Sequence, residues 1–289
     1  MRMRARPEER ARPSRRERAA RAAAAQGRTH VMGVLNVTPD SFSDGGRHWA
    51  ADQAIAAGRR MTDEGAVILD IGGESTRPGA AATPPEEEQR RILPVIAALA
   101  DAGAIVSVDT RNAVTMAAAL DAGATIINDV SALQHDPASL GLVAARGCPV
   151  VLMHMRGTPA TMNSLTQYSD VVAEVAEELA ARIAAAEAAG VRRSSIAIDP
   201  GIGFAKTGAQ NVELLRGLQH LLGLGCPILA GVSRKGFVGV LSGVRDPAER
   251  MAGSVAAGLF ALSRGACILR VHDVAATVQA VRVWQALRG

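Results

Sequence analysis

Long apolar runs are missing from this 289-residue chain. Although 48% of its residues are hydrophobic, no stretch approaches the roughly 18 consecutive apolar residues that a membrane span needs, so no membrane partner is expected. Cysteine is scarce. Cys148, Cys226 and Cys267 are odd in number, far apart and free of any CxxC pair, which argues against a disulfide framework or a zinc site and fits a reducing cytoplasm. Lysine is scarcer still, with Lys206 and Lys235 the only two among 32 basic Lys and Arg residues. No Ser/His/Asp triad and no paired-carboxylate arrangement stands out, and no GxGxxG follows the first apolar run.

Net charge is unevenly spread. Residues 1–28 carry ten Arg and three Glu, a local balance of +7 within a chain of net +4, so residues 29–289 hold −3. The basic, Ala/Arg-rich segment has almost no large apolar residues, and it reads as a disordered tail or as a start placed too early. A transit peptide would be poor in acids, against Glu8, Glu9 and Glu17. A nucleic-acid arm would carry aromatic residues to stack bases, and here there are none, so no nucleic-acid partner is expected.

From Thr29 to the C-terminus, one domain is expected. Short β-branched or aliphatic runs recur: HVMGVLN (30–36), AVILDIGG (66–73), AIVSVDT (104–110), TIINDVS (125–131), PVVLMHM (149–155), SIAIDPG (195–201), PILAGVSRK (227–235) and ACILRVHD (266–273). Their near-continuous apolar character predicts strands buried on both faces, as in parallel sheets. Ala-rich segments between them show helical spacing. Val171, Val175, Leu179 and Ile183 recur every four residues over 170–189, with Glu174 and Glu178 on other faces and Gly190 as a C-cap. Thr83-Pro84-Pro85-Glu86 reads as an N-cap followed by first-turn prolines and a capping-box glutamate, and Asp246-Pro247-Ala248-Glu249 repeats the signal. Eight strand-then-helix units predict an α/β fold, a single (β/α)8 TIM barrel with its active site at the C-terminal ends of the strands. An open doubly wound sheet is the alternative, and its glycine fingerprint is missing. GIGFAK at 201–206 lacks the third glycine and follows a late strand.

The strand ends that would meet at the barrel mouth are polar: Asn36, Glu74 to Arg77, Asp109, Asn128, His154, Asp199, Ser233 to Lys235, and Arg270 with His272. Any one has a plain structural reading, since Asp109 and Asp199 could cap helices and Asn128 could serve a turn. Together they describe a site. Two acids and an amide could read a flat heterocycle that presents an amino group beside a ring N–H, as guanine and pterins do. Lys235 could meet a ring carbonyl, although a solvated loop charge is its plain reading. Arg77, Arg270 and His272, with Ser75 and Thr76, supply donors for a phosphate-like anion.

NVTPDSFSDGG (36–46), GGESTRPGA (72–80), VSVDT (106–110), INDVS (127–131), LMHMRGTP (152–159), DPGIGF (199–204), GVSRKGF (231–237) and RVHDV (270–274) together resemble the dihydropteroate synthase family. The likeness runs in order from about Thr29 to the end. It implies condensation of 6-hydroxymethyl-7,8-dihydropterin diphosphate with p-aminobenzoate, a Mg2+ cofactor, a cytoplasmic homodimer and competition by sulfonamides. By motif, Asp109, Asn128, Asp199 and Lys235 would hold the pterin. Asn36, Arg270 and His272 would hold the diphosphate, with Asn36 also near magnesium. Thr76, Arg77, Pro78, Phe204, Ser233 and the stem of Lys235 would border the p-aminobenzoate pocket, and Phe42 and Asp44 would lie on the first mobile loop. Asn36, Arg77, Lys235, Arg270 and His272 are the catalytic candidates. Residue 205 is Ala where the family often has Gly.

Two rivals are a pterin-binding methyltransferase barrel and a pterin-binding paralogue without turnover. Neither needs diphosphate ligands, so Arg270-Val271-His272 and GGESTRP speak against the first, and the intact set Asn36, Arg77, Lys235, Arg270 and His272 against the second. Glu74 has no assigned role, and a structural partner in a neighbouring loop is expected for it.

Overall fold

A computed structural model describes residues 29–38, 47–75, 80 and 82–288; residues 1–28, the expected tail, lie outside them. The first half runs β1 (His30–Asn36), α1 (Arg47–Asp63), β2 (Ile68–Gly72), α2 (Pro85–Asp101), β3 (Ile105–Asp109), α3 (Ala113–Asp121), β4 (Ile126–Asp129) and α4 (Ser139–Arg146). The second runs β5 (Val150–Met153), α5 (Val171–Ala188), β6 (Ile196–Asp199), α6 (Gly208–Arg216), β7 (Leu229–Ala230), α7 (Gly236–Ser242), α8 (Met251–Ser263), β8 (Ile268–Val271) and α9 (Val274–Arg288). The eight strands form one sheet in the order β6-β5-β4-β3-β2-β1-β8-β7. All pairings are parallel, and a bridge from Ile198 to Ile228 joins the two ends. The sheet therefore closes on itself as a (β/α)8 barrel.

Alternation along the strands sorts side chains into two layers. Outward-facing Leu35, Leu69, Ile71, Val108 and Ile127 pack beneath the helices, against residues such as Ile92, Ile96, Leu99, Val175 and Leu179. Inward-facing Met32, Ile68, Ile126, Val151, Ala197, Leu229 and Ile268 form a separate apolar plug inside the barrel. Going two residues further along four of those strands turns the same inward positions polar: Ile68 leads to Asp70, Ile126 to Asn128, Ala197 to Asp199 and Ile268 to Arg270. The floor of the mouth is thus set by strand periodicity.

Three local expectations need correction. Helix α2 starts at Pro85 with Pro84 as its N-cap and no side-chain cap bond. The Thr83 amide donates instead to Glu74 Oε1 at 3.1 Å, so the capping box does not form. Asp246 caps only a short 3-10 turn over Pro247–Glu249, ahead of α8. At the end of α5 the C-cap is Ala189, and Gly190 follows at φ 101°. The spacing that predicted α5 holds, with Val171, Val175, Leu179 and Ile183 all buried.

Candidate active site

Arg270 is delivered by β8 into the centre of the floor. Its Nε donates to Asp70 Oδ2 at 2.6 Å and its Nη2 donates to Asp109 Oδ2 at 2.6 Å. Asn128, from β4, donates through Nδ2 to the same Asp70 oxygen at 3.0 Å. Asp70 was not a site candidate because it sits inside the apolar run AVILDIGG. The available signal was an acid two positions after an inward isoleucine. One guanidinium serves two buried carboxylates, so neither is fully compensated. Burial pushes Asp109 up to about 7 against the pull of Arg270, with Asp70, Glu88 and Asp129 adding to the rise. The second oxygen of each acid, Asp70 Oδ1 and Asp109 Oδ1, has no hydrogen-bond partner among the described residues. Arg270 keeps its proton firmly, because its two acids outweigh the cost of burial. Of five N–H donors on a guanidinium, two are engaged here.

Across the mouth the supports are backbone atoms. Asp199 Oδ1 accepts from the Gly201 amide at 2.7 Å. Burial pushes this carboxyl up, opposed by that N–H and by the charges of Lys235, Arg270 and Lys206. A Cβ on Gly231 would come within 3.7 Å of Asp199 Oδ2, so the backbone past β7 passes close to the acid. Lys235 Nζ lies 4.1 Å from the centre of the Phe204 ring. Its stem rests on Gly203, where an added Cβ would sit 3.0 Å from Cδ and where φ is +83°. Burial lowers the ammonium to about 8, with Asp199 pulling the other way.

Ser233 and His272 form a pair. Ser233 Oγ accepts from the His272 amide at 3.2 Å and lies 3.1 Å from Nδ1. When the hydroxyl donates to Nδ1, the ring proton sits on Nε2 and can be given to an anion. Burial, reinforced by Arg270 and Arg234, lowers His272 to about 4. The turn that presents Ser233 and Lys235 is pinned at Arg234, a left-handed residue at φ 59°. Arg234 binds Asp273 at 2.5 Å, and its amide donates to Ser254 Oγ at 2.8 Å.

The structure brings Asp109, Asn128, Asp199, Phe204, Ser233, Lys235, Arg270 and His272 to one end of the barrel. Asn36 closes β1 opposite Gly72. Phe42, Asp44, Thr76, Arg77 and Pro78 lie outside the described residues. Asp109 and Asp199 do not cap helices, since α3 follows Asn112 and α6 is capped by Thr207. Glu74 has the structural partner expected of it: Arg111 donates to it through Nε and Nη2 at 3.0 and 2.9 Å, in a nearly buried pair. His154 leaves the mouth and lies buried between Glu178 and Lys206. The remaining cluster offers acceptors for the donors of a flat ring and cationic or neutral N–H donors for an anion.

Residues 32–272 match the family model described as pterin binding enzyme. The chain is 45% identical over 258 residues to the dihydropteroate synthase of Escherichia coli strain K12, covering 89% of this chain and 91% of that protein. A probable bifunctional folylpolyglutamate synthase/dihydropteroate synthase from Haloferax volcanii is 48% identical over 260 residues, 90% of this chain, which spans 31% of that longer protein. Among solved structures, Xanthomonas albilineans dihydropteroate synthase with 4-aminobenzoic acid superposes with a TM-score of 0.86 at 54% identity, covering 91% of this chain and 94% of that one. The same enzyme in complex with 7,8-dihydropteroate gives 0.83 at 52% identity, covering 91% and 95%.

Proposed function

The chain belongs to the dihydropteroate synthase family of pterin-binding enzymes, and from that premise we propose how its own residues divide the work. The reaction joins 6-hydroxymethyl-7,8-dihydropterin diphosphate to p-aminobenzoate, giving 7,8-dihydropteroate and pyrophosphate. Asp109, Asn128, Asp199 and Lys235 hold the pterin. The observation that carries this assignment is the buried acid–amide–acid set at one level of the barrel, with Asp109 Oδ1 still unpartnered among the described residues.

Breaking the C–O bond leaves positive charge that spreads from the methylene into the conjugated ring. The protein's task is to stabilise the departing pyrophosphate and to keep water from the cation. Arg270 meets the anion with the N–H groups that Asp70 and Asp109 leave free, and His272 meets it with the neutral Nε2–H. An aryl amine is uncharged and nucleophilic at pH 7, so attack needs no dedicated base. Phe204, Ser233 and the stem of Lys235 border the p-aminobenzoate pocket. By the family's motifs, Thr76, Arg77 and Pro78 are assigned to p-aminobenzoate as well, and Phe42 and Asp44 to the first loop; all five lie outside the described residues.

Mg2+ belongs to the proposal. No cluster of three or more His, Cys, Asp or Glu among the described residues could hold a metal ion. The amide oxygen of Asn36 beside a diphosphate does fit an ion that takes few protein ligands and fills its shell with phosphate oxygens and water. When bound, the ion would offset negative charge on the diphosphate.

A homodimer is also proposed, supported by Val240, Leu241 and Met251 on α7 and α8, which are 82%, 68% and 46% exposed. A cytoplasmic setting is proposed from the three free thiols; no described helix is long and apolar enough to cross a membrane. The test mixes the protein with the dihydropterin diphosphate, p-aminobenzoate and Mg2+ and measures pyrophosphate. Release that depends on both substrates is expected; release no greater than the protein-free blank would refute the reading.

A further inference from the structure

Lys206 is the one lysine of the pair without a place in the reaction, yet it is 8% exposed and donates to three acceptors. Its Nζ donates to Gly201 O at 3.1 Å and to Phe204 O at 3.0 Å, and it lies 2.9 Å from His154 Nδ1. On the far side of that imidazole, Nε2 is 3.0 Å from Glu178 Oε2. Glu178 and Glu174 on α5 also bind Arg156. Lys206, the last residue of GIGFAK (201–206), is therefore plugged underneath the loop from Pro200 to Ala205; that segment imitates a nucleotide fingerprint and is not one.

Proton counting shows why a lysine suits this position. A carboxylate at Glu178 needs a donor, so His154 must carry a proton on Nε2. If the ring is neutral, Nδ1 is an acceptor, and together with two carbonyls it needs three N–H donors, which an ammonium supplies. If the ring is charged, Nδ1–H donates to a neutral amine, whose two N–H groups still reach both carbonyls. Either way the pair holds one shared proton with every partner satisfied. Burial lowers Lys206 to about 7 and His154 to about 4, so the lysine is the more basic of the two and takes the shared proton.

What the plug holds in place is the site. Gly201, whose carbonyl Lys206 binds, gives its amide to Asp199. Gly203 supports the stem of Lys235, and Phe204 lies under its ammonium. The loop is strained at one point, Ala205 at φ 49°, whereas Gly201 and Gly203 take φ 68° and 83°, which glycine adopts freely. Gly201 also presses so closely on His154 that a Cβ there would lie 1.9 Å from its carbonyl oxygen. A left-handed alanine costs about 1–2 kcal/mol, and the loop keeps it.

We infer that Lys206, with His154 and Glu178 behind it, is a positioning residue that sets the β6–α6 loop so that Asp199 and Lys235 face the pterin. The inference rests on the synthase reading. Lys206→Met removes all three donations and keeps the stem. The expected result is a KM for the dihydropterin diphosphate raised about tenfold, the scale of a lost charged hydrogen bond, with kcat changed less than threefold. Faster hydrogen exchange confined to residues 199–207 should accompany it. Should the variant fold poorly, Ala205→Gly in the same chain relieves backbone strain without restoring a donor, and the raised KM should persist. Wild-type KM in the single or double variant overturns the inference, as does a loss of exchange protection spread evenly over the barrel. Wild-type enzyme is assayed beside them. If it releases no pyrophosphate, the synthase reading is what has failed; if it turns over and the variant's KM is unmoved, only the positioning role has failed.

Discussion

Two sides of one barrel mouth hold their charges by different means. On the β2–β3–β4–β8 side, Arg270 joins Asp70 and Asp109 directly and Asn128 closes the group, so side chains satisfy side chains. On the β6–β7 side, Asp199 leans on a backbone amide, and Lys235 lies on Gly203 and the Phe204 ring. Among the described residues, neither Asp199 nor Lys235 makes an ion pair with a protein group. On the first side every group in the set is carried by a strand. The second depends on a loop that turns through a left-handed alanine, Ala205, and that something else must steady. A site that grips one substrate between them combines a fixed wall with an adjustable one.

The largest expected effect would break that contrast at the fixed wall. Asp70→Ala removes one partner of a buried guanidinium and should cost about 3 kcal/mol of stability in urea denaturation. Asp199→Ala, with no ion pair to lose, should stay within about 1 kcal/mol of wild type; equal costs would erase the distinction. Kinetics come next. Arg270→Ala should depress kcat by about 100-fold through loss of leaving-group stabilisation, whereas Asp199→Ala should raise the pterin KM about tenfold. An unchanged KM for Asp199→Ala would remove it from the pterin assignment.

The pH dependence of folding should differ in sign between the walls. Asp109 titrates at about 7 in the fold against an ordinary 3.8. A raised pKa favours folding below 3.8, and that contribution is lost as pH rises towards 7. Lys206 titrates at about 7 against an ordinary 10.5. A lowered pKa contributes above 10.5, and the contribution is lost as pH falls towards 7. Urea midpoints measured across pH should therefore flatten between 4 and 7 in Asp109→Asn, and between 7 and 10.5 in Lys206→Met. The smallest effect sharpens the picture of the loop. Ala205→Gly should stabilise by a net of about 0.5 kcal/mol, strain relief less the extra chain entropy of glycine.

The barrel was legible because its strands are short apolar runs ending in polar residues. Each of the eight expected runs contains a strand, and HVMGVLN matches β1 residue for residue. The weakest match was PILAGVSRK, where pairing stops at Ala230 and Gly231 to Lys235 leave the sheet. Asp109, Asn128 and Arg270 were legible as strand-end chemistry, but their mutual bonds were not, because Asp70, the acid that ties two of them together, hides in a hydrophobic run. His154 looked like a mouth residue by position. It turns away because Lys206, 52 positions later, offers a better partner. Glu174 and Glu178 were expected only on other faces of the helix than its apolar stripe, and the fold alone brings Arg156 and His154 to them. Contacts of this kind depend on which helix lies over which strand, and local pattern does not carry that information.

The closure of the barrel has a consequence for how the enzyme meets its ligand. Seven neighbouring strand pairs share ladders, while β6 and β7 are joined by the single Ile198–Ile228 bridge. That junction is the seam of the cylinder, and Asp199 stands on one lip with Lys235 beyond the other. On the proposed assignment, a pterin held by both residues would span the seam as a rivet spans a joint. Occupancy should then tighten the hoop, slowing exchange at the Ile198 amide, which bonds to Pro227 O at 2.9 Å, more than at amides of β2 or β3.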